Sequence, residues 1–142
     1  MFDVIIIGAG VCGASIARRL SRYKLDILLL EKENDVSMGA SKANSAIVHG
    51  GYAESGKELR GRLCYPGRIS FEKLNEELNF GFLANGSLVL AFDENDMKML
   101  DVLYQMGKEN GLDDIEIIGQ EKLREIEENV SDDAIGALYC KG

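Results

Sequence analysis

Residues 3–20 read DVIIIGAGVCGASIARRL, and residues 25–33 read LDILLLEKE. The first stretch opens with a β-branched run, Val4 to Ile7, of the kind found in parallel strands covered on both faces. Three glycines follow in the pattern GxGxxG: Gly8, Gly10 and Gly13. Val11 to Tyr23 then predicts a helix with Ile16, Ala17 and Leu20 inward, and Leu25 to Leu30 predicts a second strand. If the strands are parallel neighbours, a single helix between them crosses over right-handed. The chain therefore begins as α/β.

A GxGxxG pattern is weak alone, but here it follows a strand and opens a helix, the context that gives it meaning. Gly8 permits the tight turn, Gly10 lets the backbone approach a pyrophosphate, and Gly13 lets helix and strand pack closely. The helix N-terminus presents free N–H groups and partial positive charge to the phosphates. Glu31 stands 18 residues after Gly13 at the end of the second strand, with Lys32 beside it. A carboxylate there accepts hydrogen bonds from ribose hydroxyls and repels a 2′-phosphate. These features make a Rossmann-like βαβ unit for an FAD- or NAD-type dinucleotide, and the glycines do not choose between the two.

Composition narrows the classes. A net charge of −8 argues against nucleic-acid binding, which needs basic surface, but leaves a small anionic substrate open. Cys12, Cys64 and Cys140 form no CxxC pair, so no metal site is expected and a reducing cytoplasm fits better than a disulfide framework. Each reads as a small buried apolar residue. No apolar run is long enough for a transmembrane helix. Val4 to Ala17 is apolar like a signal-peptide core, but Asp3 stands where a positive region would be.

Residues 34–56, NDVSMGASKANSAIVHGGYAESG, carry neither helical nor strand period. Long loops inside compact domains are usually functional or disordered, and the small residues here favour an ordered, ligand-facing loop. Farther on, Leu59 and Leu63 share a helix face until Pro66-Gly67 interrupts it. Phe71, Leu74 and Leu78 continue at helical spacing. From Phe80 the order is β-α-β-α-β: a strand at Gly86–Phe92 and a helix through Met97 to Tyr104 closed near Gly111. A strand at Ile115–Ile118, a helix at Gln120–Glu128 and a strand at Ala134–Tyr139 complete it.

DVIIIGAGVCGASIARRL, LLLEKE, GASKANSAIVHGGY and GSLVLAF together resemble the start of FAD-dependent oxidoreductases of the glycerol-3-phosphate dehydrogenase and D-amino-acid oxidase type, close to L-2-hydroxyglutarate dehydrogenases. The resemblance implies FAD as cofactor. It also implies that the loop after the acid follows the pyrophosphate and ribityl chain to the flavin ring. The matching positions are Ala40, Ser41, Asn44, Ser45, His49, Gly50 and Gly51. Ser41 and Ser45 would offer hydroxyls or N–H groups to phosphate, and Gly50 and Gly51 would let backbone pass close to the ring.

His49, the single histidine, reads either as a catalytic residue near the flavin or as a loop histidine bonded to backbone. Tyr52, Arg60 and Arg62 could reach an anionic substrate, or the arginines serve as surface charge. The implied reaction removes a hydride equivalent from a small hydroxy acid or polyol phosphate.

The same resemblance assigns 1–55 to the first part of an FAD-binding domain, 56–79 to a helical connection, and 80–142 to the start of an α+β substrate-binding domain. Members of the family are several-fold longer, so the chain reads as incomplete, with Ala134–Tyr139 lacking strand neighbours. A second chain is one source of the missing FAD-domain strands. The alternatives are a non-catalytic nucleotide-binding fragment or subunit, an NAD-dependent dehydrogenase domain, and a disordered truncation.

Overall fold

A computed structural model describes all 142 residues, which divide into two compact units, Met1–Ile47 and Val48–Gly142. In the first, the β-branched run forms strand β1 (Val4–Ile7), helix α1 spans Val11–Leu20, and β2 spans Ile27–Leu30. The strands are parallel, with Val4 opposite Ile27 and Ile7 opposite Leu30. Asp3 and Asp26 tie the lower end: each backbone N–H is held by the other residue, Asp26 N–H by the Asp3 carboxylate at 2.8 Å and Asp3 N–H by the Asp26 carbonyl at 2.9 Å.

The packed face of α1 is Gly13, Ala17 and Leu20, one stripe at helical spacing. Ile16 is about half exposed rather than inward, on the flank of that stripe. Cys12 is likewise exposed, against the expectation of a buried thiol.

Residues 31–58 contain no helix or strand, as their composition predicts. The second unit then opens with helix α2, Leu59–Leu78, which runs unbroken through Pro66. The predicted interruption does not occur because Pro66 sits on an exposed face, where solvent can serve the Arg62 carbonyl that proline leaves without a donor. The packed face is instead Gly61, Cys64, Tyr65, Arg68 and Phe71, while Leu59 and Leu63 point outward. Asn79 ends the helix in the left-handed region at φ 51°, and the Asn75 carboxamide oxygen accepts the N–H groups of Gly81 and Phe82.

Strand β3 (Ser87–Ala91), helix α3 (Glu94–Glu109), strand β4 (Ile115–Gly119), helix α4 (Gln120–Ile126) and strand β5 (Gly136–Cys140) follow the expected order. Asp93 caps α3, its Oδ1 accepting from Asn95 and Asp96 N–H at 2.7 and 2.9 Å. The three strands form an antiparallel sheet in the order β3-β5-β4. Strand β5 is therefore central, which corrects the expectation that it lacks neighbours.

Alternation along the strands sends side chains to two cores. Ala91, Ile115, Leu138 and Cys140 join Leu100 and Leu112 on one face, while Ile118 and Ala137 join Leu123 and Ala134 on the other. No helix of the chain is long and apolar enough to cross a membrane.

Candidate functional site

Of the predicted residues of the first unit, Gly8, Gly10, Gly13, Glu31 and Ser41 converge on the N-terminus of α1. Gly8 has φ +100°, a conformation that disfavours any side chain, and its N–H donates to the Leu30 carbonyl at 2.7 Å. A Cβ on Gly13 would run into the Gly8 carbonyl, so this glycine sets how closely helix and turn approach. A Cβ on Gly10 would sit 3.0 Å from Ser41 Oγ. The space a Gly10 side chain would take is thus occupied by the Ser41 hydroxyl, and the absence of a Cβ is what lets Ser41 reach the helix end.

Two side chains hold this turn from a distance in sequence. Glu31 Oε2 accepts the Ala9 N–H at 2.7 Å, while Oε1 accepts Lys32 N–H at 2.9 Å and Glu33 N–H at 3.1 Å. The Ala9 N–H bond above all, with those from Glu33 and Lys32, holds the Glu31 carboxyl below its ordinary pKa, because each donor favours the ionised form. Ser41 Oγ accepts the Val11 N–H at 2.8 Å. Gly10, the residue at the N-cap of α1, has no side chain to do this, so Ser41 serves as the cap from 30 residues away.

The loop behind Ser41 is built by Asn44. Its Nδ2 donates to the Ser41 carbonyl at 2.5 Å and to the Ala40 carbonyl at 3.3 Å, while its Oδ1 accepts Ala46 N–H at 2.7 Å. Asn44 and Ala40 therefore appear as the frame around Ser41. Ser37, which sequence reading passed over, bonds through its N–H to the Ala9 carbonyl at 3.1 Å. Ser45 is exposed, and Lys32 Nζ pairs with Glu33 at 3.4 Å in solvent rather than joining the turn.

His49, Gly50 and Gly51 belong to the second unit. His49 is exposed, and its carbonyl lies 3.8 Å from Cys64 Sγ. Gly50 lies against the Tyr52 ring and Cys140 Sγ; Gly51, buried at φ +103°, lies against Tyr65 and Leu112. The segment is fastened by Asn110, whose Nδ2 donates to the Gly51 and Glu54 carbonyls at 2.8 and 2.7 Å. Tyr52 Oη stands 3.2 Å from Ser87 Oγ.

Arg60 pairs with Glu54 at 3.2 Å on the surface. The buried arginine is Arg68: Nη2 meets Asp114 Oδ2 at 2.6 Å, and Nη1 donates to Cys140 Sγ at 2.8 Å and the Gly142 carbonyl at 3.1 Å. Burial pushes the Cys140 thiol up, which keeps it a neutral packing group beside that cation. Arg68 was missed in the sequence; the 61-64-65-68-71 spacing of α2 is the signal that marks it as inward. No cluster of His, Cys, Asp and Glu side chains is arranged to hold a metal ion.

Residues 3–142 match the FAD dependent oxidoreductase family. A glycerol 3-phosphate dehydrogenase of Caloramator mitchellensis is 51% identical over 141 residues, covering 99% of this chain and 29% of that protein. A mitochondrial L-2-hydroxyglutarate dehydrogenase of Nematostella vectensis is 33% identical over 128 residues, covering 89% of this chain and 28% of its own length. The structure of dithionite-reduced L-alpha-glycerophosphate oxidase from Mycoplasma pneumoniae with FAD bound superimposes with a TM-score of 0.85 at 31% identity, over 99% of this chain and 38% of that one. This chain thus spans less than a third of the length of each of these two relatives.

Proposed function

Because the chain belongs to the FAD dependent oxidoreductase family, we propose that its first unit holds the adenosine pyrophosphate of FAD. The observation that carries this reading is the convergence of Gly10, Ser41 Oγ and the Glu31 carboxylate on the N-terminus of α1. Gly10 brings no side chain to the helix end, the first-turn N–H groups of α1 offer donors to phosphate, and Ser41 stands beside them as a hydroxyl partner. Glu31 keeps lone pairs beyond those used by Ala9, Lys32 and Glu33, and these suit ribose hydroxyls. The residues therefore fit the cofactor.

Bound FAD supplies an acceptor for a hydride equivalent taken from a carbon that bears a hydroxyl or amine. The chain's own residues bind and orient. The assignment of His49, Gly50 and Gly51 to the flavin end rests on the sequence resemblance, as does the division into 1–55, 56–79 and 80–142. The substrate class we propose is a small anionic hydroxy acid or polyol phosphate, in a protein of the cytoplasm. The relatives named above, a glycerol 3-phosphate dehydrogenase and an L-2-hydroxyglutarate dehydrogenase, support that class.

A second reading has its own support. Ile5 is 55% and Ile7 87% exposed on β1, apolar surface that further polypeptide would cover. On that reading the chain is a nucleotide-binding subunit that works only with a second chain. Titration of FAD into the purified chain, with NAD as control, tests the cofactor. Quenching of flavin fluorescence at about micromolar FAD, absent with Gly10→Val, is the expected result. Preference for NAD, or Gly10→Val binding as well as the parent, would overturn it.

A further inference from the structure

We infer that Asn44 is a positioning residue, acting on the dinucleotide through Ser41 rather than touching it. The inference rests on the dinucleotide reading above and deepens it. The Asn44 carboxamide is used by its own loop: Nδ2 bonds the Ser41 and Ala40 carbonyls, and Oδ1 bonds Ala46 N–H. Those bonds fix the backbone on both sides of the turn.

Ala46 is held at φ +54°, a left-handed conformation that is unfavourable for an L-residue with a β-carbon. Something must hold it there, and the Oδ1 bond to its N–H is the local candidate. With the turn so held, Ser41 Oγ reaches Val11 N–H at 2.8 Å and stands 3.0 Å from the place of a Gly10 Cβ. The route runs from Asn44 through the Ser41 backbone to the hydroxyl at the helix end.

Four variants of the full chain test this: Asn44→Ala, Ser41→Ala, both together, and Asn44→Ala with Ala46→Gly. Two quantities are read, the exchange rate of the Val11 amide and the affinity for ADP and FAD. Asn44→Ala should speed Val11 exchange and weaken ADP by about tenfold, the scale of one hydrogen bond to a charged oxygen. Ser41→Ala should match it, and the double variant should be no weaker than either. Ala46→Gly should restore much of the loss, since glycine takes the left-handed turn without help.

Unchanged Val11 exchange in Asn44→Ala would overturn the inference. So would losses that multiply in the double variant, because Asn44 would then be meeting the nucleotide itself. Faster Val11 exchange in a chain that binds neither ADP nor FAD would uphold the Asn44–Ser41 linkage and refute the dinucleotide reading instead.

Discussion

The two units of this chain are ordered by different means. In Val48–Gly142 the central strand β5 is covered on both faces, and Leu138, Leu123 and Leu100 are almost wholly buried. In Met1–Ile47 the strands are short and β1 leaves Ile5 and Ile7 in solvent. Only Ile6 and Ala9 are buried apolar residues there, and what fixes the turn is polar and conformational: Glu31 on the turn, Ser41 on the helix end, Asp3 on Asp26, and a glycine at positive φ. Apolar burial is non-directional, whereas hydrogen bonds to backbone have set lengths and angles and so fix the position of single atoms. A phosphate turn needs the second kind of order, and that is the kind this unit has.

The contrast predicts where damage spreads. Leu138→Ala removes a side chain with no exposure from the core shared by β3, β4, β5 and α3, and should destabilise the second unit by about 2–5 kcal/mol. Amide exchange should quicken across all three strands of that sheet, while Gly8 and Val11 keep their rates. A uniform change in both units would break the distinction between them.

Gly13→Ala strikes the first unit by geometry instead. Its β-carbon would overlap the Gly8 carbonyl, and relieving such overpacking costs about 1–3 kcal/mol. The shift of α1 should also carry Val11 away from Ser41 and weaken FAD binding. Gly39 is the control, since a Cβ there meets nothing within 4 Å and its φ is ordinary. Gly39→Ala should leave stability and affinity unchanged, and an equal loss at both positions would show that the loop tolerates no added atom anywhere.

Most of the elements are written in local patterns. The β-branched run, the glycine spacing and the acid at the end of β2 define the first unit, and the apolar runs at Gly86–Phe92 and Ile115–Ile118 mark two strands of the sheet. Features that depend on distant partners were not legible. Pro66 reads as a break, yet its tolerance depends on which side of α2 meets solvent. Arg68 looks like any surface cation until its stripe is aligned with Gly61 and Tyr65, and nothing near it in sequence announces Asp114. The central place of β5 follows from pairing with two strands, which no single segment encodes. Of the candidate site, the glycines and Glu31 stand out by motif and Ser41 by the resemblance, but the bonds of Glu31 to Ala9 and of Ser41 to Val11 join distant residues and are not written in either segment. Asn44 was legible as a position but not in what it does, because the bonds that define it run to its own loop.

The smallest expected effect belongs to Glu31, and it separates polar order from apolar order most directly. Three N–H groups favour its ionised form, so its pKa in the folded chain lies below that of the unfolded one. A group depressed in this way contributes stability that is full above the unfolded value and is lost as pH falls through the folded one. From pH 7 to about 5 the turn should therefore hold steady. Below that range the Ala9 amide should exchange progressively faster than its intrinsic rate predicts, and ADP affinity should fall in step. Glu31→Gln keeps an oxygen to accept one N–H but loses the charge. It should bind ADP several-fold more weakly at pH 7 and flatten the acid limb, whereas the amides of β5, surrounded by carbon, should keep the same protection profile in both proteins. An acid limb that persists in Glu31→Gln would assign the pH response to another carboxylate and leave the tie between Ala9 and Glu31 without a measurable part in holding the turn.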